Sequence, residues 1–116
     1  MAVHFVTTSA GSLLRAFDAR ISQTEAKGKI TTWEKNADGY YTHKATEWSK
    51  EAWFYPKTEA TQLTFNIIKP QNKNVSSLTY AYYHGHLLET FLNHFDDSFK
   101  SGIASALPET GDKVNS

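Results

Sequence analysis

Residues 76–100, SSLTYAYYHGHLLETFLNHFDDSFK, carry the strongest hydrophobic pattern in the chain and predict one long helix. At about 100° per residue, Leu78, Ala81, Gly85, Leu88, Leu92, Phe95 and Phe99 share one stripe, and Tyr80, Tyr83, Leu87 and Phe91 widen it sideways. The apolar arc spans roughly 220°, against about 100° for an ordinary surface helix. A single sheet leaves part of such an arc uncovered. The pattern therefore predicts a core stripe through Gly85, Leu88 and Leu92, and a flank through Leu87 and Phe91 that meets a second partner. Glycine inside a helix costs about 1 kcal/mol relative to alanine. Its place at Gly85 predicts a close approach there by a sheet aromatic, the first helix or the same helix of another copy.

The remaining pattern is simpler. Val3 and Phe5 alternate against His4 and Thr7, which suits a short N-terminal strand or an extended lead-in. Ser9 is a predicted N-cap, with Leu13, Leu14, Phe17 and Ile21 forming one narrow helical stripe that ends near residues 24–27, before Gly28. From residue 28 to 70 the period changes to two. Segments 29–35 and 40–46 flank Asn36-Ala37-Asp38-Gly39, a type I turn followed by a glycine suited to positive φ, and so predict a hairpin. A third strand over 52–55 is expected to stop at Pro56, and a fourth over 61–69 turns Leu63, Phe65 and Ile67 towards the helices. Ser76 or Ser77 caps the long helix. The order α-β-β-β-(β)-α, with a possible short N-terminal strand, predicts an α+β fold. Its architecture is a two-layer sandwich, an antiparallel meander of three to four strands with two helices on one face. One domain over residues 1–107 and a flexible tail over 108–116 complete the expected organisation.

Charge narrows the partners. Twelve Lys plus Arg balance twelve Asp plus Glu, so the cationic footprint that drives nucleic-acid affinity is missing. Double-stranded RNA-binding domains also run helix, three strands, helix, but grip phosphates with a basic helix start, where this chain has SSLTYAYY. The chain has no cysteine, which excludes disulfides, thiol catalysis and cysteine-ligated zinc and fits a reducing cytoplasm. Apolar runs are far shorter than the ~20 residues that span a bilayer, so no membrane partner is expected. Leu107-Pro108-Glu109-Thr110-Gly111 matches the LPxTG cell-wall sorting signal. Without a basic leader before it or an apolar segment after it, the match reads as coincidence.

Candidate chemistry centres on histidine and aromatic rings. His84 and His86 lie about 200° apart on a helix and cannot grip one metal together. His86, Glu89 and Asn93, with Asp97 a turn beyond, share a polar face on which a carboxylate could orient an imidazole. His84 is expected to be buried against a carbonyl or a tyrosine. His94 would sit at the rim of any interface formed by Leu87 and Phe91. No nucleophile elbow, phosphate loop or zinc-protease helix occurs, and no metal or cofactor is called for. Trp33, Tyr40, Tyr41, Trp48, Trp53, Phe54 and Tyr55 crowd the meander, more rings than one inner face needs, so some must point outward.

Thr32-Trp33-Glu34 with Asp38-Gly39 and Thr42-His43, Ala52-Trp53 with Pro56, and Tyr83-His84-Gly85-His86 with Glu89 and His94-Phe95-Asp96 resemble an uncharacterised family of small bacterial cytosolic proteins. The resemblance covers most of the chain and implies a bacterial, cytoplasmic setting without naming an activity. Taken together, these features argue against an enzyme and for a small protein-interaction module. It is expected to form a homodimer through the long helix with Tyr80, Tyr83, Leu87, Phe91 and His94. The alternatives are a small-molecule or metal-assisted activity around His86 and Glu89, or stacking of single-stranded nucleic acid on the meander aromatics.

Overall fold

Strand alternation and two amphipathic helices organise the chain, and the computed structural model describes residues 1–114. The elements run β1 (Val3–Val6), α1 (Ala10–Ser22), β2 (Trp33–Lys35), β3 (Tyr41–His43), β4 (Trp53–Thr58), β5 (Gln62–Ile68), α2 (Ser77–Phe95) and β6 (Ser101–Ala104). The strands form one antiparallel six-stranded sheet in the order β2-β3-β4-β5-β1-β6. The fold is an α+β sandwich with both helices on one face. Phe17 of α1 and Phe91 of α2 both pack on Phe65 of β5, and their ring centroids are 4.9 Å apart.

Register explains which residues enter the core. Tyr41 pairs with Phe54, Phe54 with Ile67, and Pro56 with Phe65, while Phe65 and Leu63 pair with Val3 and Phe5 of β1. These positions share the helix-facing side, and all but Pro56 are fully buried. The stacked rings of Phe5 and Phe91, 4.1 Å apart, clamp α2 to the sheet's middle. The β2–β3 hairpin has the expected turn: Gly39 N–H donates to Asn36 O at 3.1 Å, and Gly39 sits at φ 89°.

Several expectations change. The N-terminal segment takes the expected short-strand alternative, lying between β5 and β6, and the sheet gains an unexpected strand, β6, after α2. The long helix ends at Phe95 rather than near residue 100. Asp96 and Asp97 follow immediately, and carboxylates oppose the negative end of the helix dipole. Lys100 N–H then donates to Val6 O at 2.7 Å and hands the chain to β1. β4 continues through Pro56 to Thr58, because β3 pairs with it only at Tyr41↔Phe54. Beyond that point β4 is an edge on that side, where proline forfeits no ladder bond. Ser76 caps α2 by accepting from Thr79 N–H at 3.1 Å. Ser9 makes no side-chain cap; its carbonyl accepts from Leu13 N–H instead.

Part of the segment expected as a tail is paired with the sheet. Lys113 bridges β5 beside Ile68, with Lys69 N–H donating to Lys113 O at 2.7 Å and Lys113 N–H to Ile67 O at 2.9 Å. Asp112 accepts from Asn66 Nδ2 at 2.8 Å, and Glu109 meets His4 Nε2 at 2.7 Å. β1 begins at Val3, opposite Phe65, so the end of β5 beyond Phe65 has backbone groups that β1 does not pair and that this segment satisfies. Residues 115 and 116 of the expected tail lie outside the described residues.

Replacing Phe91 by Ala should lower the unfolding free energy by about 3–5 kcal/mol, the usual loss for a buried aromatic. Urea unfolding measures it, and a loss below ~1 kcal/mol contradicts the central place of this ring.

Candidate functional site

Burial divides α2 differently from the expected assignment. Tyr83, Leu87 and Phe91 are fully buried and Tyr80 is 8% exposed. They form the core face and present no surface to a second subunit. Leu78 and Leu92 are 70% and 55% exposed, Ala81 and Gly85 are exposed beside them, and Leu88 is half-buried. The two apolar sides of the arc are real, with their roles exchanged. A large aromatic ring buries about 150–250 Å², so the Tyr80–Phe91 side removes more apolar surface than a side of leucines, alanine and glycine. That side also finds partners for its polar atoms. The Tyr83 hydroxyl donates to Trp48 O, and Thr90 Oγ1 accepts from Trp33 Nε1 at 3.0 Å.

The uncovered stripe leans towards β6. A Cβ built on Gly102 would lie 2.7 Å from Leu88 Cδ2, so Gly102 lets α2 settle onto this strand. Within the chain neither a sheet aromatic nor the first helix approaches Gly85, since nothing lies within 4 Å of a Cβ built there, and the close approach is made at Gly102. β6 is the edge of the sheet and pairs with β1 alone among the described residues. Its sequence, Ser101-Gly102-Ile103-Ala104, carries no charge and no proline, and all four residues are exposed. Natural sheet edges are commonly guarded by charged residues or proline, which this strand lacks.

His94 lies in the seam between the helices rather than at an outer rim. Its Nδ1 is 3.5 Å from an Arg20 guanidinium nitrogen, and burial and then Arg20 lower its pKa. His84 is buried as expected, with both ring nitrogens 2.6 Å from carbonyl oxygens of Tyr80 and Met1. The polar face does not assemble into a site. Glu89 and Asn93 are exposed, His86 is half-buried, and Asp97 lies past the end of the helix. Among the described residues no group of three His, Asp or Glu side chains could hold a metal.

His86 belongs to a different arrangement, one that sequence periodicity does not reveal. Trp48 stacks on Tyr82 at 3.9 Å, and Tyr82 on His86 at 4.0 Å. His43 stands edge-on to His86 at 5.1 Å. Ala45 N–H donates to His43 Nδ1 at 3.1 Å, so the neutral ring carries its proton on Nε2. That nitrogen is buried without a hydrogen-bond partner among the described residues. Burial, and then His86, push the His43 pKa from 6.5 down to about 4. Trp33, Tyr41 and Phe54 complete the inner face. Tyr40, Trp53 and Tyr55 cluster on the opposite face of the sheet, with Tyr40 6.5 Å from Trp53 and 4.7 Å from Tyr55.

The His43 environment makes a pH prediction. A folded-state pKa below the unfolded value means that the unfolded chain binds the extra proton first. The contribution of His43 to stability is complete above pH 6.5 and is lost as the pH falls towards 4. Urea midpoints should therefore drop more steeply across this window in the wild type than in His43→Leu. Equal slopes would contradict the buried, neutral imidazole.

Among the described residues no helix is long and apolar enough to cross a membrane. No protein-family model, no curated protein and no solved structure matches the chain.

Proposed function

We propose that the chain is a non-enzymatic interaction module that assembles as a homodimer through the β6 edge and the outer stripe of α2. The observation that carries this reading is the exposed row Leu78, Ala81, Gly85 and Leu92, with half-buried Leu88, beside an uncharged strand whose outer edge has no partner among the described residues. The row is self-complementary. Leu78 and Leu92 stand seven residues either side of Gly85, so an antiparallel crossing of two α2 helices at Gly85 sets Leu78 of each copy against Leu92 of the other. Glycine at the crossing admits close approach of the two backbones.

A stable interface needs about 800 Å² from each partner. One helix stripe is smaller than that, which favours recruiting β6. Antiparallel pairing of β6 with its twofold copy satisfies the strand's open edge and continues the sheet. The chain's formal net charge of zero adds no repulsion between copies. A bacterial, cytoplasmic setting and kinship with the small bacterial family it resembles belong to the same reading, in keeping with the cysteine-free sequence.

Sedimentation should show a dimer at tens of micromolar. Leu92→Glu should dissociate it while changing the monomer's unfolding free energy by no more than ~0.5 kcal/mol. Leu87→Glu should instead unfold the chain, because it buries a charge in the core. A wild type that stays monomeric, or a Leu92→Glu variant that associates like the wild type, overturns the proposal.

A further inference from the structure

The outer face of the sheet holds a cleft of about 770 Å³ at the end away from β6. Its floor is Trp53 of β4, Tyr40 and Ile68 of β5. Trp53 and Ile68 are register partners and so share this face. The walls come from three connections: the β2–β3 turn with Asp38, the β3–β4 connection with Lys50 and Glu51, and the segment after β5 with Asn72 and Lys73. Glu51 and Lys73 form an ion pair across two of these walls. The solvated face of an antiparallel sheet is ordinarily polar. Here it carries aromatic rings inside a basin rimmed by carboxylate, amide and ammonium groups.

One wall residue is held in a costly conformation. Lys50 has φ 62°, the only positive φ outside glycine among the described residues. The conformation is enforced by Thr42, whose hydroxyl accepts from Lys50 N–H at 2.9 Å and donates to Ala52 O at 2.9 Å. A left-handed non-glycine residue persists only where its surroundings over-determine it, and such residues gather at ligand sites.

We infer that this cleft binds a saccharide, with a sugar ring seated on Trp53 beside the nearly perpendicular ring of Tyr40, and its hydroxyls bonded by Asp38, Lys50, Glu51 and Asn72. A pyranose has an apolar C–H face that an aromatic ring covers, and an equator of hydroxyls that both donate and accept. Carboxylates accept from those hydroxyls, ammonium groups donate to them, and an amide does both. Charge separates this ligand from a nucleic-acid strand. Lys50, Lys69 and Lys73 in the lining face Asp38 and Glu51, which leaves a single excess positive charge, whereas phosphate tracking needs a clear cationic excess. The site uses the β2–β4 end of the sheet and does not depend on self-association through β6.

The test is NMR of the tryptophan indole N–H signals during titration with maltotetraose, cellotetraose and N-acetylchitotetraose, each to ~10 mM, a range that reaches millimolar dissociation constants. At least one saccharide should shift the Trp53 signal saturably. Trp53→Ala should abolish saccharide-dependent shifts elsewhere around the cleft. Lys50→Gly should weaken binding at least ~3-fold while its thermal midpoint stays level or rises, since glycine relieves the backbone constraint. No saturable shift with any of the three, or shifts that survive Trp53→Ala in a folded variant, overturns the inference. A response confined to a salt-sensitive oligothymidylate overturns it too and assigns the cleft to nucleic acid.

Discussion

The burial of one side of α2 decides the rest of the structure. Phe91 stacks on Phe5 and also meets Phe17 and Phe65, so β1, α1, β5 and α2 converge on one ring. Around it, Tyr83 reaches the β3–β4 connection through Trp48 O, and Thr90 holds Trp33. Arg20 of α1 lies over the Phe95 ring at 5.5 Å. With the aromatic side turned inward, the opposite side of the helix is committed to the outside. The exposed leucines follow from an arc too wide for a single sheet to cover.

Local signals were legible where the chemistry is local. Asn36–Gly39 specified its turn, Ser76 its cap, and the Leu63-Phe65-Ile67 alternation its inward face. The choice between the two sides of α2 was not local. Both sides are apolar, and only ring area and the partners available to Tyr83 and Thr90 separate them. β6 was hidden because four residues with a glycine make a weak strand signal, and it forms by pairing with β1 more than ninety residues away in sequence. Segment 108–114 read as a tail because it lacks apolar periodicity. Its anchors are polar, Asp112 to Asn66 and Glu109 to His4. The histidines misled because helical spacing could not show that His43, from β3, stands beside His86.

The two proposals use opposite ends of one sheet. The β6 edge lies at one end of the strand order and the Trp53–Tyr40 floor lies towards the other. Pairing through β6 would continue the sheet across a twofold axis and leave the clefts well apart. A dimer of that form is bivalent, suited to a ligand that repeats along a chain, where the second contact gains from the first. The interior between the two ends is a rigid aromatic core with few options for rearrangement.

Amide hydrogen exchange along β6 and the outer face of α2, compared at high and low protein concentration, decides whether these two surfaces meet in a dimer. The amides of β6 that point away from β1 should gain protection as concentration rises, while those of Tyr83, Leu87 and Phe91 stay protected throughout. If these outward amides exchange fast at every concentration, the exposed stripe and open edge do not mark a subunit interface, and the account fails.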